Sequence, residues 1–100
     1  MDRSDILHLI RTQEPALRAL GVGSACLFGS AARDALQARS DVDVLIDGVS
    51  PRRLSLFDLV RVQTLLETTL QRKVDVIARE GLARAPELQR SIEADLIDVF

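Results

Sequence analysis

Residues 28–47 read FGSAARDALQARSDVDVLID. The second half, Asp41–Asp47, alternates acidic and branched apolar side chains, which is the period-two pattern of a β-strand. Aspartate is among the poorest strand formers, so a row of it inside a strand needs a reason other than propensity. The pattern returns as VDVI at Val74–Ile77. In the first copy Asp41, Asp43, Leu45 and Asp47 share one face, and Val42, Val44 and Ile46 the other. Asp41 and Asp43 are two residues apart, about 6.6 Å along the backbone. Asp75 faces away from Val74 and Val76, and it joins the first two in one acidic cluster if the two strands are neighbours.

The flanking sequence builds a frame around these strands. Ser4 is the expected N-cap of a first short helix, with Asp5 in its first turn and Ile6, Leu7, Leu9 and Ile10 as its apolar stripe. Pro15 interrupts that helix and opens a second at Glu14–Leu20, which Gly21 and Gly23 are expected to end. Ala25–Phe28 reads as a buried first strand and Gly29–Leu36 as a helix. Gln37–Ser40 is a loop, Val42–Asp47 the second strand, and Gly48-Val49-Ser50-Pro51 a turn. Arg53–Gln71 is the longest helix, with Leu54, Phe57, Val60, Leu65, Leu66 and Leu70 at an approximate helical period. Lys73–Ala78 is the third strand, Gly81 a break and Pro86–Ala94 a last helix. Periodicity leaves Asp95–Phe100 open between strand and helix end. The order predicts an α/β or α+β domain over 1–100, a small mixed sheet with helices packed mainly on one face.

Composition narrows the function. The chain has 100 residues, 47% of them hydrophobic, enough for one core but not two. Its 13 basic and 15 acidic residues give a net charge of −2, which argues against a nucleic-acid backbone as partner. Three Phe with no Trp or Tyr leave no platform for stacking unpaired bases. The single cysteine, Cys26, excludes an intrachain disulfide framework, and no Cys/His zinc spacing occurs. Met1–Asp5 lacks the character of a signal peptide and no apolar run approaches a membrane span. The expectation is a cytoplasmic protein, soluble and without membrane or nucleic-acid partners.

The acidic strands have two readings. On a merely wet outer face, their repulsion is below about 1 kcal/mol per pair. In a partly enclosed cleft it reaches roughly 2–3 kcal/mol per pair, and such a cluster calls for a cation. Oxygen ligands without His or Cys select Mg²⁺ or Mn²⁺ over zinc. Phe28-Gly29-Ser30 favours the second reading, since Gly permits close approach to the backbone and a helix start offers N–H groups to an anion. Phosphate and a hard divalent cation belong together. His8 is expected to be a surface or capping residue, Cys26 a small core residue, and Arg52-Arg53 a solvated helix start. Asp47 stands too far along the strand to be a first-choice ligand.

Gly29-Ser30, ten intervening residues and then Asp41-Val42-Asp43 resemble the signature of the polymerase-beta-type nucleotidyltransferase superfamily. The longer LFGSAAR…SDVDVLID is similar to its minimal nucleotidyltransferase branch, with KVDVI supplying the third carboxylate. The resemblance implies that Gly29, Ser30 and Arg33 bind the nucleotide phosphates. It implies that Asp41, Asp43 and Asp75 are catalytic and ligate two Mg²⁺ ions (or Mn²⁺). At one position the chain departs from the pattern: Asp34 stands where the family commonly has Gly. Minimal members of this kind act as antitoxins of HEPN toxins, so the resemblance further implies AMP transfer from ATP to a partner toxin's tyrosine hydroxyl within a hetero-oligomer. Two alternatives stay open: an antitoxin that works by binding alone, and nucleotidyl transfer to a small molecule.

Overall fold

The computed structural model describes residues 1–49 and 53–100. Ser50, Pro51 and Arg52, which carry part of the expected turn and of the expected helix start, lie outside the described residues. The elements are α1 (Arg3–Thr12), α2 (Glu14–Ala19), β1 (Val22–Phe28), α3 (Gly29–Ala32), β2 (Val42–Gly48), α4 (Leu56–Leu70), β3 (Val74–Ala78), a 3₁₀ helix (Arg79–Arg84), α5 (Pro86–Glu93) and β4 (Ile97–Asp98). They form one mixed sheet in the order β3-β2-β1-β4. β2 and β3 run parallel, joined by the α4 crossover, and the other two pairs are antiparallel.

Local chemistry sets the boundaries. Asp2, not Ser4, caps α1: its carboxylate accepts the Asp5 N–H at 2.9 Å while the Asp5 carboxylate accepts the Asp2 N–H at 3.1 Å, a reciprocal capping box. Ser55 and Asp58 repeat the device at α4, so that helix starts at Leu56, later than the apolar pattern suggests. It ends where Gln71 turns left-handed at φ 54. Pro15 sits in the first turn of α2 as expected, and Gly21 ends it at φ 102. Gly23 does not end a helix; it lies inside β1, where the register with β2 shifts. α3 is a single turn rather than Gly29–Leu36, because Asp34 is left-handed at φ 58. Gly81 is no break but part of the 3₁₀ helix. The undecided C-terminus adds β4 beside β1.

Helices cover mainly one face of the sheet. Val42, Val44, Ile46, Ala25, Leu27 and Val74 are buried there with Ile6 and Ile10 of α1, Leu17 of α2, and Val62, Leu66 and Leu70 of α4. The i, i+4 spacing of the buried α4 side chains is one helix face. Phe57 and Val60, which share the approximate helical period, are 75% and 51% exposed, off the face that carries Val62, Leu66 and Leu70. On the opposite face Cys26, Phe28 and Leu45 are covered by Leu82 and Ile92. That small second core ends short of the first residues of β2 and β3, where the aspartates stand.

These positions set the cost of truncation. Leu66→Ala removes a side chain with no solvent exposure and is expected to cost about 2–5 kcal/mol. Phe57→Ala should stay within about 0.5 kcal/mol. Urea unfolding midpoints of the two variants check both values.

Candidate active site

The parallel pairing of β2 with β3 places Val42 beside Val74, Asp43 beside Asp75 and Val44 beside Val76. Asp43 and Asp75 therefore stand side by side on the same face. The strand starts are held from two directions. The Arg72 side chain donates to the carbonyl oxygens of Gln37 and Ser40, tying the loop before β2 to the loop before β3. From α4, Gln63 donates to the Val74 carbonyl at 3.1 Å and Glu67 accepts the Val74 N–H at 3.1 Å. Those two bonds use the backbone groups at the open edge of the sheet, next to Asp75.

β1 delivers the Gly-Ser turn to the same place, since Phe28 pairs with Asp43. Gly29 has φ +67, and a Cβ there would run into the Asp43 carboxylate oxygen Oδ2. The left-handed conformation favours glycine here, and any Cβ would also force the Asp43 carboxylate to turn aside. The Ser30 hydroxyl makes no hydrogen bond among the described residues. Arg33 follows, and its guanidinium is paired with Asp95 at 2.8 Å while lying close enough to Asp43 to favour its ionised form.

The departure at Asp34 finds its explanation here. A left-handed residue suits glycine, and aspartate is one of the few others that tolerate it. The Asp34 carboxylate accepts the Arg3 N–H at 2.9 Å, and the Arg3 side chain donates to the Ala32 carbonyl at 2.9 Å. The residue in place of glycine thus fastens the end of α3 to the start of α1, with its charge directed at a helix N-terminus. Arg3, Asp34, Arg72 and Asp95 were not singled out as site residues by sequence. Only the Asp-for-Gly departure signalled one of them.

Charge sets the three aspartates apart from the other acidic residues. Of the 15 Asp and Glu, only Asp41, Asp43, Asp75 and Glu87 lack a hydrogen bond or ion pair among the described residues. The Asp43 carboxyl is pushed above its ordinary value by burial, then by Asp75 and Asp41. Asp75 and Asp41 thus both act on Asp43. No group of three or more His, Cys, Asp or Glu among the described residues closes into a metal-holding set. In chemistry the set fits a hard divalent cation: oxygen donors only, uncompensated, with Asp43 and Asp75 on adjacent strands and Asp41 just before the first of them.

The far end of the same face is chemically spent. Asp47 is bound by Arg79 at 2.8 Å and by Ser24 at 3.2 Å, so it stands apart from the three aspartates. Buried Cys26 donates to Asp98, and burial followed by that bond raises its thiol to about 11, far from reactive. His8 is exposed on α1.

Two outcomes follow from this geometry. Gly29→Ala should lose about 1–2 kcal/mol to left-handed strain, with the Asp43 clash added, as read by thermal melts. For Asp43 the sign is that of a raised carboxyl: the associated stability is full below the unfolded value and is lost as pH rises through the folded one. Asp43→Asn should therefore melt higher than the parent chain at neutral pH. The gap should close on acidification into the ordinary aspartate range, as read by melting curves from neutral to acidic pH.

With that geometry established, known proteins can be compared. Residues 10–99 match the family model described as "Nucleotidyltransferase domain". A relative from Methanocaldococcus jannaschii, named "Putative protein adenylyltransferase", is 36% identical over 95 residues, covering 94% of both chains. The structure named "Structure of putative minimal nucleotidyltransferase" superposes with a TM-score of 0.69 at 29% identity, over 91% of this chain and 93% of that one. A chain of the Shewanella oneidensis complex of tri-AMPylated HEPN toxin with MNT antitoxin has the same fold. It superposes with a TM-score of 0.66 at 15% identity, covering 94% of this chain and 71% of that one. By the match over 10–99 and by its relatives, the chain belongs to the nucleotidyltransferase domain family.

Proposed function

We propose that this chain transfers AMP from ATP to a tyrosine hydroxyl on a partner HEPN toxin and so neutralises it. The observation that carries this reading is the gathering of unpartnered Asp41, Asp43 and Asp75 beside the Gly29-Ser30 turn. The relative named as a protein adenylyltransferase and the structural neighbour bound to a tri-AMPylated HEPN toxin support the acceptor class.

In this mechanism Gly29 lets the triphosphate approach the backbone, and Ser30 offers its hydroxyl to a phosphate oxygen. Arg33 supplies a positive charge to the phosphates once it shares or leaves Asp95. Asp41, Asp43 and Asp75 would hold two Mg²⁺ ions, or Mn²⁺, which supply charge stabilisation to the entering and departing oxygens when bound. In this reading Asp75 accepts the proton of the attacking hydroxyl. That oxygen forms a bond to the α-phosphorus as the bond to pyrophosphate breaks. The chain's own contribution is positioning and fixed charge rather than a covalent intermediate.

A second reading, neutralisation by binding alone, is favoured by one feature. Leu56, Phe57 and Val60 are exposed on α4, beside an apolar groove of about 630 Å³ between α2 and α4. One experiment separates the two. The co-expressed partner is incubated with α-labelled ATP and Mg²⁺, using the parent chain and the Asp41→Ala, Asp43→Ala double variant. The transferase reading expects a labelled partner, with label lost by at least about 1,000-fold in the variant, as several kcal/mol of charge stabilisation disappears. An unlabelled partner that the variant still neutralises supports masking instead.

A further inference from the structure

A second cavity, of about 290 Å³, opens between the loops that lead into β2 and β3. Its wall holds Arg39, Arg72 and Lys73 against a single acid, Asp41. Arg72 is engaged as the staple between the loops. Arg39 and Lys73 are exposed, and their side chains have no hydrogen bond or ion pair among the described residues. On a chain of net charge −2, this is a local reversal of sign directly beside the acidic cluster.

Its position gives the reversal a meaning. In the sheet order β3-β2-β1-β4 the Gly29-Ser30 turn lies on the β1 side of Asp43, while the cavity lies on the β3 side and is bordered by Asp41. An in-line displacement brings the nucleophile to the side opposite the leaving group. With the triphosphate on the Gly-Ser side, the acceptor comes from the cavity side. From these observations we infer that the Arg39–Lys73 cavity is the docking subsite of the acceptor segment, and that this segment carries carboxylate side chains next to its acceptor hydroxyl. The inference rests on the proposed transfer reaction for the acceptor's role. Charge complementarity carries the choice of occupant: an acidic segment would be repelled by Asp41, Asp43 and Asp75 unless cations received it at their margin, and rim charges of this kind set encounter and register.

The test uses binding without turnover. The ¹⁵N-labelled chain is titrated at low salt with two peptides, a tyrosine flanked by glutamates and a tyrosine flanked by lysines. The glutamate peptide should move the amides of residues 38–41 and 71–73, and the lysine peptide should not. Arg39→Glu with Lys73→Glu, both at exposed positions, should weaken the glutamate peptide by about tenfold and leave AMP-PNP affinity unchanged. Shifts mapping elsewhere, or glutamate-peptide binding untouched by the double reversal, would overturn the assignment. Loss of AMP-PNP affinity in the double variant would also overturn it, by giving the cavity to the nucleotide. No transfer is needed for this map, so a chain without transferase activity would still report on the cavity.

Discussion

The arrangement depends on the parallel pairing of β2 with β3, which sets Asp43 directly beside Asp75. Like charges at neighbouring positions of a sheet are destabilising, and the Asp43 carboxyl is raised first by burial and then by Asp75 and Asp41. The hydrophobic face behind them outweighs it. Val42, Val44 and Val74 point away from the aspartates into the main core, and a one-residue slip would exchange the two faces. Burial of the valines therefore holds the aspartates in register. Fold stability and site geometry are two faces of the same strands.

The surroundings stiffen what the register creates. Arg72 links the loops before β2 and β3, and Gln63 with Glu67 hold the first residue of β3 from the helix above it. On the other flank, Asp34 and Arg3 bind the end of α3 to α1. These bonds involve peripheral residues, and each restrains a loop that leads to a site residue. The proposed transfer would need such a frame, because catalysis by positioning loses its advantage when the frame gives.

Much of this was legible in the residues. The period-two rows at 41–47 and 74–77 disclosed both strands and the face of each aspartate, because alternation is a strong geometric constraint. Pro15 and Gly21 marked their boundaries through backbone chemistry of their own. What stayed hidden was set by tertiary partners. The face that α4 buries is set by what packs against it, so an approximate period did not show that Phe57 and Val60 are exposed. α3 stops early because Asp34 adopts a left-handed conformation that Arg3, 31 residues away, makes worthwhile. The Arg33–Asp95 and Arg72 contacts join residues far apart in the chain, and no local pattern announces them.

In the proposed function Asp41, Asp43 and Asp75 act together, holding divalent cations against the phosphates of a nucleotide at Gly29-Ser30. The most direct test is a crystal of the chain grown with Mn²⁺ and AMP-PNP, with the metal located by anomalous scattering. The account predicts manganese bridging these carboxylates and the phosphates, with the triphosphate against the Gly-Ser turn. Manganese and nucleotide bound elsewhere, with the three carboxylates left in solvent, would contradict it.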